Sequence, residues 1–350
     1  MRVSTVLPYQ DWRDCGPAAR AAEADGASVI QCPELANDPF IPLAFAAMGS
    51  ERIELATSVA IAFPRSPMVV ANLAWDLARH SRGRFVLGLG SQVRAHNERR
   101  FSVPWVAPAA RMGEYVQALR AIWRCWETGA KLDYSGEHYS FTLMTPEFSP
   151  PQLGLPMPPV MIAAVGPHML KEAARHCDGV RLHGFNTRRY LEEVVTPGLE
   201  KELAGRGKDF DSFEVTGGGF VVTGPDEEAV KAAAEKIRYR VGFYGSTPQY
   251  RGVLELHGLT ELGARLNAAT RRGAWGELAG MIDDEVLDLF IARATYDKLP
   301  EAVARRFGGV ADTVTVDFLP DTDARTRRKV IDGIRQIPSR FEAYRTSWEV

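Results

Sequence analysis

The sequence predicts one (β/α)8 TIM barrel with insertions, and three observations carry that prediction. Short β-branched or apolar runs alternate with helical patterns from end to end, and eight such runs stand out in the 350 residues. Glycine, proline or aspartate punctuates the changeovers. No segment repeats at a period of about 20–50 residues, which excludes a solenoid.

Residues 3–7 form the first strand, which Pro8 ends, and residues 9–12 read as a polar loop. An alanine-rich helix over 17–25 follows, with Pro17 in its first position and Gly26 past its end. The second strand, 27–32, empties into a loop through Asp38, which is placed to cap a helix over 39–48. Residues 52–62 read as one long third strand. Val70, Leu73, Ala74 and Leu77 share a face of the next helix. Strand four, 84–90, ends in Gly88 and Gly90, whose lack of a Cβ suits a sharp turn. In the following helix Met112, Tyr115, Val116, Leu119, Ile122, Trp123 and Trp126 form one stripe, a core face.

Residues 131–159 break the rhythm with a small excursion and a proline-rich connection, read as an insertion within a single domain spanning 1–350. Strand five is 160–165, followed by Gly166, Pro167 and a helix; strand six is 179–183, followed by a helix over 190–203. Residues 213–223 read as strand seven, interrupted by Gly217, Gly218 and Gly219, and 226–241 as its helix. The stretch 247–306 reads as wholly helical, with 245–295 a helical insertion. Strand eight is 313–318, and 324–344 closes the chain as a helix.

Composition narrows the class. The chain is 45% hydrophobic and 25% charged with a net charge of −2, so it offers no electrostatic footprint for nucleic acid or an anionic membrane. No apolar run reaches the roughly 18 residues of a membrane span, and the first residues lead straight into a strand-like segment rather than a signal peptide. Cys15, Cys32, Cys125 and Cys177 are scattered without metal-like spacing. The expectation is a cytoplasmic protein acting on a small molecule.

In such a barrel, function collects where strands end at the C-terminal face. Two loops there suit an anion. After strand four come the donors Ser91, Gln92, Arg94, His96 and Asn97. After strand five, Ala164, Val165, Gly166 and Pro167 lead into a helix whose free N–H groups and dipole favour a phosphate. Both loops also admit the plain reading of tight βα turns. Glu34 stands at the mouth as a carboxylate able to accept a proton, or as a cap. His96 and His183 are candidate proton movers or structural histidines, and Arg65 either steers an anion or pairs on the surface. The spacing excludes a dinucleotide fingerprint, because no acidic residue ends a strand about 20 positions after the glycines. Walker A and G-x-S-x-G motifs are absent, and no HxH or HExxH pair marks a metal site.

The runs 52–59, 65–67 and 81–90, extended by 163–167 and 177–179, resemble the luciferase-like monooxygenase superfamily. The runs 92–96 and 38–42 look most like its branch that uses the deazaflavin coenzyme F420. That resemblance implies a homodimeric barrel with the deazaflavin at the C-terminal mouth and hydride transfer between its C5 and a substrate carbon. The family's ring-backing bulge, often a non-prolyl cis peptide, falls on Thr57, Ser58 and Val59. Its phosphate-bearing tail falls on Gly90, Ser91, Gln92, Ala164, Val165, Gly166 and Pro167. An FMN-dependent monooxygenase is the alternative, with Arg94 pairing the FMN phosphate. Some relatives carry an acidic–histidine pair after strand two and a glutamate after strand four; here Leu35 and Val93 stand in those places. Proton movement is then left to Glu34, His96 or His183. A flavin-binding protein without turnover and a cofactor-free barrel acting on a sugar phosphate also stay open.

Overall fold

The computed structural model describes residues 1–348. Its centre is a closed parallel barrel. The strands are β1 (Arg2–Val6), β2 (Val29–Cys32), β3 (Glu54–Thr57), β4 (Ala60–Ile61) and β5 (Phe85–Gly90). A small antiparallel hairpin, β6 (Tyr134–Ser135) and β7 (Ser140–Phe141), lies outside the barrel. The barrel continues with β8 (Val160–Ala164), β9 (Gly179–Leu182) and β10 (Glu214–Gly217). Then come β11 (Phe220–Gly224), β12 (Ile291–Thr295) and β13 (Thr313–Thr315). Neighbours run β3-β2-β1-β13-β10-β9-β8-β5-β4, and β3–β5 pairing closes the ring.

The interior follows the two-residue period of a strand. Val29, Ala56, Val86 and Met161 meet in one apolar layer. Two residues further along the chain, Gln31, Ser58 and Ala163 line the open mouth with Arg181, Thr216 and Thr315. Beneath the apolar layer Tyr344 packs in, and its hydroxyl donates to Glu214, a buried carboxylate also paired with Arg2 at 2.7 Å. Burial alone would raise the Glu214 pKa, but Arg2, Thr313, Tyr344 and Arg181 together bring it below its ordinary value. Outside, Trp75, Tyr115 and Trp123 are fully buried between helices, and the indole of Trp123 donates to Ala71 O at 3.1 Å.

Five expectations change. The closing helix is Ala324–Arg335 and does not run to 344, because Pro338 cannot continue it. The third strand is two pieces, because the Ser58–Val59 peptide is cis and interrupts the ladder between β3 and β4. The first helix is Trp12–Ala24, with Pro17 inside it: Asp11 accepts the Arg13 N–H at 2.9 Å and starts the helix early. The seventh strand ends at Gly217. Gly217 (φ +84) and Gly218 (φ +90) turn the chain out of the barrel, and β11 pairs instead with β12 in a separate parallel pair. The stretch expected to be wholly helical therefore contains a strand; Ile291–Thr295 becomes one by pairing with Phe220–Gly224. No helix of the described residues is long and apolar enough to cross a membrane.

Candidate functional site

At the C-terminal end of the barrel opens a cavity of about 410 Å³. Ser58, Val59 and Ala163–Val165 form one side, and His183, Phe220, Ile237 and Arg240 the other. Gln31, Arg181, Thr216 and Thr315 supply polar groups to its lining.

The two glycines of strand four serve packing rather than a turn, since neither has a positive φ. A Cβ on Gly90 would stand 2.6 Å from Val59 Cγ2, and one on Gly88 would stand 2.1 Å from the Thr57 carbonyl oxygen. The turn is made by Gln92, at φ +58. Its loop is held by Asn97, fully buried, whose amide donates to Ser91 O at 2.8 Å and Val93 O at 3.2 Å. Ser91 Oγ donates to Gln92 O. Thr57 is fully buried too: its hydroxyl donates to Gly88 O at 2.7 Å and accepts the Gly88 N–H at 2.8 Å. It braces β3 against β5 and does not line the cavity. The second loop lies beside the first, because β5 and β8 pair through Leu89↔Ile162. Gly166 precedes the helix Pro167–His176 and faces open space where a Cβ would point.

The proposed proton movers separate. Glu34 is spent on bracing: its carboxylate accepts the Ile61 N–H at 2.7 Å and Arg65 Nη1 at 2.8 Å, while Arg65 also reaches Asp38 at 2.8 Å. That ties the loop after β2 to β4 and engages both oxygens of the Glu34 carboxylate. It also settles Arg65 as a half-buried pairing group. His96 is exposed on the helix Arg94–Arg99 and does not line the cavity. Arg94 is likewise outside it, paired with Glu98 at 2.9 Å with its side chain 70% exposed.

His183 does line the cavity. Its Nδ1 accepts the Phe185 N–H at 3.0 Å. A backbone N–H can only donate, so the ring proton sits on Nε2. Burial, reinforced by Arg240, pulls its pKa down to about 4, so the imidazole is neutral at pH 7. Tyr244 packs edge-on at 4.3 Å and Tyr250 at 5.0 Å between centroids. The loop is pinned from behind: Asn186 donates to His183 O at 2.8 Å, and Arg306 donates to Asn186 O and Gly218 O. Across the mouth, burial raises the Asp317 pKa while Arg240 and the Val6 N–H oppose it.

Arg181, Arg240 and Asp317 escaped the sequence reading. Arg181 had a visible signal, a charge at the third place of the four-residue strand Gly179–Leu182, in register with inward-facing Ala163 and Thr216.

The family model for the luciferase-like monooxygenase matches residues 2–313. An uncharacterized protein of Mycobacterium tuberculosis is 44% identical over 319 residues, 91% of this chain and 94% of that protein. The 5,10-methylenetetrahydromethanopterin reductase of Archaeoglobus fulgidus is 30% identical over 268 residues, 75% of each. Among solved structures, the coenzyme F420-dependent tetrahydromethanopterin reductase from Methanopyrus kandleri superposes with a TM-score of 0.75 at 20% identity, covering 96% of this chain and 97% of that one. The oxygenating constituent of 3,6-diketocamphane monooxygenase from Pseudomonas putida, in complex with FMN, superposes at 0.63 with 14% identity, covering 97% and 98%. The chain belongs to the luciferase-like monooxygenase family.

Proposed function

We propose that this chain is a cytoplasmic F420-dependent oxidoreductase acting on a small organic substrate by hydride transfer. The observation that carries the choice of cofactor is the chemistry of the two tail loops. Residues 90–92 and 164–167 contain no lysine or arginine, and Arg94 is already paired with Glu98 at the surface. Such loops offer backbone N–H groups and a helix N-terminus, which match a singly charged phosphodiester better than the doubly charged phosphate monoester of FMN. The names of the F420-dependent relatives and structural neighbours point the same way.

The residues present fit a flat ring. Val59 packs so closely on Gly90 that no Cβ intervenes, and it presents an apolar wall beside Ala163–Val165. Ser58 and Val59 would back the ring, and Gly90, Ser91, Gln92, Ala164, Val165, Gly166 and Pro167 would hold the tail. When bound, the deazaflavin supplies a carbon that gives or takes a hydride. The chain's own part is orientation and exclusion of water. His183, neutral and protonated on Nε2, donates a hydrogen bond to a substrate oxygen and so orients and polarises it. Tyr244, Tyr250 and Phe220 keep that side apolar.

The reading includes a homodimer. Ile41, Phe45, Met48 and Val69 form exposed apolar surface on neighbouring helices, the stretch such an interface would cover. All four cysteines are free and buried, in keeping with a reducing compartment.

Equilibrium titration of the purified protein with F420 and with FMN, followed by tryptophan fluorescence, tests the cofactor. Selective binding of F420 is expected. Selective binding of FMN, with oxygen uptake in the presence of reduced FMN, would replace this reading by the monooxygenase one.

A further inference from the structure

Arg181 crosses the barrel interior from β9. Its Nη1 donates to Gln31 Oε1 at 3.2 Å and to Ser58 Oγ at 3.5 Å. Its Nε, buried, has no partner, and Nη2 makes no hydrogen bond among the described residues. Nε and Nη2 form one edge of the guanidinium, the edge that takes a carboxylate two bonds at a time. No carboxylate of the described residues lies within 4.0 Å of it, although the side chain is only 7% exposed. Glu214 and Glu54 attract this cation from beneath without touching it, so what stays unmet is the hydrogen-bonding capacity of its Nε–Nη2 edge, which an anionic oxygen pair would satisfy.

A second orphan stands beside it. Thr216 is 5% exposed, and its Oγ1 has no partner. Thr216 pairs in register with Arg181 across β10 and β9, so both reach the cavity from one layer of the barrel. Gly88 and Ala163 keep space for the arginine: a Cβ on Gly88 would stand 2.7 Å from Arg181 Nε. Arg240, by contrast, is exposed at the mouth, with its guanidinium over the Phe220 ring at 5.0 Å. The charge available deep in the cavity is therefore that of Arg181.

We infer that Arg181 and Thr216 form an oxyanion subsite in the floor of the cavity, built for a planar, singly charged oxygen pair such as a carboxylate or an enolate-type oxygen. Arg181 supplies the charge-assisted edge, and the Thr216 hydroxyl supplies one further hydrogen bond. Two sources share this chemistry, the substrate and the reduced deazaflavin ring, and the second rests on the function proposed above.

The test uses benzoate, and neutral benzamide as its isostere, on the full-length protein by calorimetry and thermal shift. Benzoate is expected to bind at least about tenfold more tightly than benzamide. That preference is expected to vanish in Arg181→Gln and to shrink in Thr216→Val, whose packing is nearly unchanged. Equal binding of benzoate and benzamide by the wild type, or an undiminished preference in Thr216→Val and a folded Arg181→Gln, would overturn the subsite. Should Arg181→Gln fail to fold, the benzoate–benzamide contrast and Thr216→Val still decide. Benzoate binding that persists with saturating F420 assigns the subsite to the substrate. Displacement of benzoate by F420, with reduced F420 held more tightly than oxidised in the wild type only, assigns it to the ring. Benzoate binding without any F420 binding would sink the cofactor reading and leave the subsite standing.

Discussion

Replacing Gly90 by alanine tests whether strand four is shaped around the Val59 wall. The added Cβ would stand 2.6 Å from Val59 Cγ2, whereas ordinary contact begins near 3.4 Å, so the wall or the strand must give way by about 0.8 Å. Overpacking of that kind costs about 1–3 kcal/mol in a close-packed interior. Val59 lines the cavity, so its retreat also deforms the surface proposed to back the ring. Gly90→Ala is therefore expected to melt a few degrees lower and to bind F420 at least about tenfold more weakly. Gly166→Ala is the control, because nothing lies within 4 Å of its Cβ position. It is expected to melt like the wild type. Differential scanning fluorimetry and F420 titration read both effects. A Gly90→Ala protein with wild-type melting and affinity would refute the packing argument.

The His183 pKa of about 4 gives an acid sensitivity with a definite sign. The unfolded chain takes up a proton near pH 6.5 that the folded ring refuses until about pH 4, so stability falls as pH drops through that window. The loss reaches about 3 kcal/mol at its lower end, and urea midpoints should show it in the wild type but not in His183→Gln. Glu34→Gln breaks the brace to Arg65 and Ile61 and should cost about 1–3 kcal/mol. Once a substrate is known, that variant should leave the shape of the pH–rate profile unaltered, whereas loss of one limb would mark Glu34 as a proton carrier. Arg94→Ala removes an exposed pair worth less than about 1 kcal/mol, so F420 affinity should stay within about fivefold, and a larger fall would place Arg94 on the ligand.

The barrel was legible because its signals are local. Alternation marked the staves, helical stripes such as Met112 to Trp126 marked the core, and the glycine and proline loops marked the mouth. Signals that depend on distant partners were not legible. Ile291–Thr295 looks helical in isolation, with two alanines and an arginine, and becomes a strand only against Phe220–Gly224. Gly88 and Gly90 were right as markers and wrong in their reason, because the groups that crowd them, Val59, Thr57 and Arg181, come from other staves. Glu34 looked free since Arg65 lies 31 positions away; the same holds for the orphaned edge of Arg181, whose neighbours are Gln31 and Ser58.

The central claim is that the loops after β5 and β8 hold the tail of F420. Hydrogen–deuterium exchange with and without F420 tests it most directly. Added protection is expected at the amides of residues 90–93, 164–166 and 168, together with the ring-backing segment 58–59. Protection in those loops with FMN alone, or F420-dependent protection elsewhere with none in these loops, would contradict it.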